Sequence, residues 1–179
     1  MNTLTDREKW DIGKIAENSA HYSTLSERHR TEAVSMAAVL ASANNLEYVP
    51  EYVMNRNICR AALNAKDADC TILPLIPYPD VQKEGIKKFS GDTPPFVVYS
   101  FVDITDAKMA QNAVRADAYC IQLVPDKFLT KDLCGMALKS PNADKKVIQL
   151  VGERFPELKA EQSSKAEIPP QKESVKMKC

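Results

Sequence analysis

The sequence predicts an all-α protein, arranged as an alpha-solenoid-like array of about five short helix-pair repeats behind an N-terminal capping helix. Glycine is scarce, at 5 of 179 residues, and no long stretch alternates apolar with polar residues, which favours helix over strand. Two sequence patterns also recur in alternation along the chain. A helix pair of about 25 residues cannot bury its apolar face alone, so stacked neighbours would complete the core.

The first pattern predicts the first helix of each pair. It places a small residue four positions, and an apolar residue five positions, after an apolar residue, so that all three share one helical face. Copies start 23 to 28 residues apart, at Val34, Ile58, Val81, Met109 and Leu133. Predicted N-caps stand three residues before four of these starts, at Thr31, Asn55, Asp106 and Thr130. The copy at Val81 departs, because Tyr78 holds the cap position and Pro79 opens the helix.

The second pattern predicts the second helix of each pair, and it is clearest where Ile-Gln-Leu-Val occurs at 121–124 and again at 148–151. Its last apolar residue recurs every 22 to 27 residues, at Val49, Ile76, Val102, Val124 and Val151. Ile121, Val124 and Phe128 follow the spacing i, i+3, i+7 and are predicted to form a buried stripe. Because Pro125 disfavours helical geometry at Val124, we expect a short helix followed by a tight turn.

Three regions follow from these patterns. Residues 1–26 form the predicted capping helix, whose stripe contains Trp10, Ile12 and Ile15. Residues 27–156 form the helical repeat array, with units at 27–53, 54–78, 79–104, 105–129 and 130–156. Residues 157–179 contain almost no large apolar side chains and include Pro169-Pro170, which predicts a disordered tail.

The stretches "NRNICRAALNA" and "YCIQLVPDKFLTKDLCGMALK" resemble a bacterial helical-repeat family of unknown function, whose units are paired short helices. The resemblance covers about residues 30–156. It implies a bacterial or phage-associated origin and supplies no catalytic residues.

The composition offers little material for catalysis, and we predict that the protein is not an enzyme. Cys59 and Cys134 hold equivalent helix positions and are predicted to be small, half-buried packing residues. The two histidines, His21 and His29, show no zinc-ligand spacing with the cysteines, so no metal or cofactor is predicted. With no export signal and no long apolar run, we expect a cytoplasmic protein that does not contact a membrane.

The leading functional hypothesis is a non-enzymatic interaction or scaffold module that binds another protein. The candidate partner-binding residues are Tyr52, Arg60, Lys83, Gln111, Lys127 and Arg154. Arg60, Lys83 and Gln111 share one slot in the first helices and are predicted to form a row. Tyr52 is predicted to be exposed, whereas Tyr48 and Tyr99 match the apolar stripe and are predicted to be in the core.

Two alternatives remain open at this stage: a nucleic-acid-binding helical repeat, and a regulatory subunit of a phage or mobile-element assembly. The chain carries 24 basic and 24 acidic residues, and this zero net charge disfavours nucleic acid, which normally selects a basic excess. The sequence carries no indication of oligomeric state.

Overall fold

A computed structural model describes residues 3–158. The segments are the α-helices α1 Asp6–Glu17, α2 His21–Thr24, α3 Glu32–Ala41, α4 Arg56–Leu63, α5 Pro79–Phe89, α6 Pro95–Tyr99, α7 Ala107–Ala116, α8 Lys131–Leu138 and α9 Lys145–Arg154, and the 3-10 helices Glu27–His29, Ala43–Tyr48, Cys70–Leu75, Ala118–Leu123 and Asp126–Phe128. No strand occurs between residues 3 and 158. The predicted all-α class is confirmed. The single stacked array stays a prediction.

Polar caps start the first helices. The side chains of Asn55, Asp106 and Thr130 each accept a hydrogen bond from a first-turn amide, as predicted. Thr31 occupies the N-cap position of α3, but its hydroxyl donates instead to Glu8 Oε1, at 2.7 Å. The cap position of α5 is held by Tyr78, with proline as the first helical residue.

The first helices bury the face that the sequence pattern predicts. All fifteen residues of the five copies are buried, and they are Val34, Ala38, Val39, Ile58, Ala62, Leu63, Val81, Gly85, Ile86, Met109, Ala113, Val114, Leu133, Ala137 and Leu138. The small member matters most at Gly85, where an added Cβ would lie 2.5 Å from Leu73 Cδ2. The Leu73 side chain therefore occupies the space that a Cβ on α5 would need at this position.

The second segments at residues 43–48, 70–75 and 118–123 are 3-10 helices rather than α-helices. A 3-10 helix has about three residues per turn, so every third residue faces the same side. Three buried residues of each segment follow this period, as Ala43, Leu46 and Val49, then Cys70, Leu73 and Ile76, then Ala118, Ile121 and Val124, while Asn45, Ile72 and Cys120 are buried in addition. The predicted i+7 member of the stripe, Phe128, is only half-buried and lies in the separate 3-10 helix that follows Pro125.

The chain divides into two compact units, the first ending at Asp103 and the second beginning at Ile104. In the first unit, α4 and α5 run in the same direction and in register. Contacts joining residues 24 or 25 positions apart connect their starts, middles and ends, as Arg56 with Asp80, Arg60 with Glu84, and the Leu63 carbonyl with Lys88. In the same unit, a contact of 23 positions joins α3 to α4, where the Asn55 side chain donates to Glu32 at 2.9 Å.

One polar link recurs in both units, each time at the end of a first helix. In the first unit, Asp67 accepts hydrogen bonds from the Ser42 hydroxyl at 2.6 Å and from the Ala43 amide at 2.9 Å. In the second unit, Asn142 accepts a bond from the Ala118 amide at 3.3 Å and donates one to Asp117 at 2.7 Å. Each residue of the second link stands 75 positions after its counterpart. In both units, therefore, a side chain just after the first helix of one pair accepts a hydrogen bond from the first amide of a 3-10 helix in the preceding pair.

The N-terminal helix α1 packs against α3, but its buried face differs from the predicted stripe. Ile15 is buried as expected and Ile12 is half-buried, whereas Trp10 is 49% exposed. Asp11 is buried in its place and pairs with Arg7 at 2.9 Å. A hydrophobicity pattern treats Asp11 as an exposed residue, because it does not account for the ion pair with Arg7 on the same helix. This explains why Trp10 was wrongly predicted to lie on the buried face.

The predicted disordered tail, 157–179, lies outside the described residues beyond Leu158. Leu158 itself is buried, and Glu157 Oε1 lies 3.7 Å from Lys131 Nζ of α8. Packed residues of the second unit therefore extend to Leu158.

Candidate interaction surface

The cysteines of the described chain are unsuited to nucleophilic chemistry. Cys59, Cys70, Cys120 and Cys134 are all buried. Burial raises the pKa of Cys59 to about 11 and that of Cys120 to about 12. Because the thiolate is the nucleophile, these thiols stay protonated and unreactive near neutral pH. Within residues 3–158, no group of three or more His, Cys, Asp or Glu side chains is placed to hold a metal ion.

The most distinctive surface belongs to the second segment of the first full helix pair. The five exposed residues between positions 43 and 54 are Asn44, Glu47, Tyr48, Glu51 and Tyr52. We call these five residues the tyrosine surface. It consists of two aromatic side chains interleaved with two carboxylates and an amide. Aromatic residues are enriched among the residues that dominate binding energy at protein interfaces.

The period of the 3-10 helix creates this surface. Ala43, Leu46 and Val49 fill the buried side, and the Asn45 amide is buried as well, donating to the carbonyls of Ala38 and Ser19 at 3.0 and 3.1 Å. The remaining positions between them, Asn44, Glu47 and Tyr48, face outward. Tyr48 is 40% exposed, so its predicted place in the core is wrong. An α-helical stripe assumes 3.6 residues per turn, and a period of three rotates Tyr48 out of the buried face.

Hydrogen bonds hold the tyrosine surface in one conformation. Arg30 donates through Nη1 to the Tyr48 carbonyl at 2.9 Å and through Nη2 to the Ser23 carbonyl at 3.0 Å. Its guanidinium carbon also lies 5.9 Å from the centre of the Tyr48 ring. The Tyr52 hydroxyl donates to the Glu27 carbonyl at 3.3 Å, although 71% of the residue is exposed. A surface fixed before binding loses less conformational entropy when a partner arrives.

The charges at this surface are acidic and unneutralised. Glu47 and Glu51 belong to it, and the Tyr52 hydroxyl contacts the backbone carbonyl of Glu27, whose side chain is exposed as well. None of the three carboxylates has a cationic group within 4.0 Å in the described part of the chain. The exposed cation of the same stretch is Arg28. The tyrosine surface therefore presents more negative than positive charge.

The six predicted partner-binding residues occupy different settings. Tyr52 is exposed, as predicted. On α4 and α5, the Arg60 guanidinium pairs with Glu84 at 2.8 Å and with Asp80 at 3.6 Å, and Lys83 stands exposed next to Glu84. These ion pairs raise the pKa of Arg60 and lower that of Glu84. Arg60 thus contributes to contact between two helices, besides any role at the surface.

The other three predicted residues lie in the second unit. Gln111 is exposed on α7. Lys127 lies with its ammonium 4.8 Å from the centre of the Phe128 ring, and the neighbouring Asp126 pairs with Arg154. The structure therefore brings Arg154 to the 3-10 helix Asp126–Phe128, which contains Lys127. The row of Arg60, Lys83 and Gln111 across the array stays a prediction.

The sequence offered one signal for the residues that the prediction missed, which are Tyr48, Glu47, Glu51 and Arg30. Positions 44, 47, 48, 51 and 52 form a polar and aromatic set between the apolar residues that recur every third position. Reading that segment with a period of three would have placed Tyr48 outside. No sequence signal marked Arg30, whose role depends on two backbone carbonyls from distant parts of the chain.

Comparison of the chain with protein-family models, with curated proteins and with solved structures gives no significant match to any of them. The resemblance to a bacterial helical-repeat family therefore stays a prediction, as do the bacterial origin and the cytoplasmic location. No helix within residues 3–158 combines the length and apolar composition needed to cross a membrane.

Proposed function

We propose that this chain is a non-enzymatic protein-binding module, built of stacked helix pairs, that engages its partner through the tyrosine surface. Stacking is supported by the sequence separation of the contacting residues. Their side-chain hydrogen bonds join residues 23 to 28 positions apart, which is about the length of one helix pair. Arrays of helix pairs build extended surfaces because each pair contacts its neighbours and leaves one side open.

The observation that carries the proposal is the tyrosine surface itself. Two tyrosines are exposed at 40% and 71%, and hydrogen bonds join the backbone carbonyl of Tyr48 and the hydroxyl of Tyr52 to another part of the chain. Burying a tyrosine against a partner contributes large contact area at the cost of few rotatable bonds. A merely solvated face would not need aromatic side chains held in place, so the arrangement favours recognition.

Site-specific photocrosslinking tests the proposal. A photoreactive phenylalanine analogue replaces Tyr52 in one chain and Lys127 in a control chain, because these residues hold equivalent positions 75 residues apart. In extracts of the source cells, we expect position 52 to capture a discrete protein that position 127 does not capture. Tyr48→Ala in the same chain should reduce the yield, and the captured protein, once purified, should bind the unmodified chain.

Two outcomes would overturn the proposal. One is the absence of any protein adduct from position 52. The other is equal capture from positions 52 and 127, because a surface without recognition crosslinks whatever collides with it. Circular dichroism of each variant shows whether its helices are retained.

A further inference from the structure

We infer that the partner segment taken by the tyrosine surface is basic: a lysine- or arginine-rich peptide whose cationic side chains lie against Tyr48 and Tyr52. This inference rests on the proposed function and identifies the chemistry of its partner. It follows from three features of the described chain, namely two exposed aromatic rings, the unpaired carboxylates beside them, and the contrast with the equivalent positions of the second unit.

The rings supply the first contact. Tyr48 and Tyr52 stand four positions apart, and the fixed carbonyl and hydroxyl contacts described above limit their movement. A cation within about 6 Å of an aromatic centre is attracted by the negative face of the ring. The Tyr48 ring already shows this preference, because the Arg30 guanidinium lies 5.9 Å from its centre.

The carboxylates supply the second contact and decide the sign of the partner's charge. Glu27, Glu47 and Glu51 are exposed and lack an ion-pair partner within residues 3–158. Elsewhere on the first unit, by contrast, Asp80 and Glu84 are neutralised by arginines. An acidic peptide or a nucleic acid would be repelled by the three carboxylates, whereas a basic segment would pair with them.

The second unit lacks both features at the equivalent positions. The counterpart of Tyr52 is Lys127, and the counterpart of Glu51 is Asp126. Asp126 is already paired with Arg154. The counterpart of Tyr48 is Leu123, which is half-buried. The combination of rings and free carboxylates therefore belongs to one helix pair, as expected of a binding surface and not of a general packing requirement.

Fluorescence anisotropy with a labelled ten-residue Lys-Ser peptide tests the inference. We expect saturable binding to the native chain that weakens as salt rises, because exposed charges are screened. Tyr48→Ala with Tyr52→Ala should weaken binding about 5- to 30-fold, since two cation–aromatic contacts are lost. Glu47→Gln with Glu51→Gln should also weaken it and should reduce its salt dependence.

Three further variants make the test specific. Tyr48→Phe with Tyr52→Phe keeps both rings and should bind within about twofold of the native chain. Lys108→Ala and Asp92→Asn change exposed side chains outside the tyrosine surface and should leave binding unchanged. If the alanine and native chains bind the peptide equally, or if the phenylalanine pair behaves like the alanine pair, the inference is overturned.

The two proposals fail in different ways. If the native chain does not bind the Lys-Ser peptide while position 52 still captures a protein, the basic partner is wrong and the protein-binding function stands. If position 52 captures nothing and the peptide does not bind, both proposals are overturned. A glutamate-serine peptide that binds as tightly as the lysine-serine peptide would also contradict the inferred charge.

Discussion

Replacement of Gly85 by alanine measures how much the close approach of α5 contributes to stability. The added Cβ would lie 2.5 Å from Leu73 Cδ2 and 2.9 Å from Leu63 Cδ2, where ordinary contact begins at 3.4 Å. Overpacking a core of this kind costs about 1–3 kcal/mol. The better helix propensity of alanine offsets about 1 kcal/mol of that cost. We expect Gly85→Ala to lower the free energy of unfolding by about 1 kcal/mol.

Gly13→Ala is a matched control that separates the cost of overpacking from the gain in helix propensity. Gly13 lies inside α1 of the same unit, and an added Cβ there would meet nothing within 4 Å. Gly13→Ala should therefore raise the free energy of unfolding by about 0.5–1 kcal/mol through helix propensity alone. Urea unfolding followed by circular dichroism and by the fluorescence of Trp10, the single tryptophan of the chain, reports on this unit.

A second substitution tests whether the clash with Leu73 causes the loss of stability. Leu73→Val removes the Cδ atoms that would clash with the new methyl group, so Gly85→Ala should cost about 1 kcal/mol less in that background. If Gly85→Ala stabilises the native protein as much as Gly13→Ala does, the close packing around α5 does not need glycine. The argument for the small residue in the first helices would then be refuted at that position.

Three further predictions concern polar links and thiols. Asp67→Ala should destabilise the first unit by about 0.5–1 kcal/mol near neutral pH in urea unfolding, a modest loss because the residue is exposed. Partial burial raises the pKa of Asp67, but bonds from Ser42 and Ala43 outweigh it and lower the pKa overall. The stabilisation is therefore full above about pH 4 and is lost as pH falls through the folded value, so a difference that persists at pH 2 would contradict it. Asn55→Ala should cost about 1 kcal/mol in the same assay through loss of the cap of α4, and an unchanged urea midpoint would exclude that role. Cys59 and Cys120 should resist a thiol-specific disulfide reagent at pH 8 until urea is added, and mass mapping showing their modification in the native protein would refute the burial argument.

The first helices were predictable because their physics is local. An apolar residue, a small residue and a second apolar residue on one face of an α-helix form a strong periodic signal, and Ile58, Ala62 and Leu63 are all buried as that signal requires. The caps at Asn55, Asp106 and Thr130 were predictable for a similar reason, since an N-cap depends on the next three residues.

The second segments were harder to predict because a short apolar stretch does not reveal its own period. Val49, Ile76 and Val124 were correctly expected to be buried, since their burial fits either a period of 3.0 or one of 3.6. Tyr48 distinguishes the two periods, and the sequence pattern assumed the wrong one. The positions of Arg30 and Asp11 depend on partners that only the folded chain brings together.

The short sequence separation between contacting residues of neighbouring helix pairs affects the folding rate. Hydrogen bonds that join residues 23 to 28 positions apart require only short loops to close before they form. Chains dominated by such near-neighbour contacts have low relative contact order and fold on the microsecond to millisecond timescale. Within each unit, a helix pair can therefore dock on the pair synthesised just before it, so folding of the unit can keep pace with synthesis.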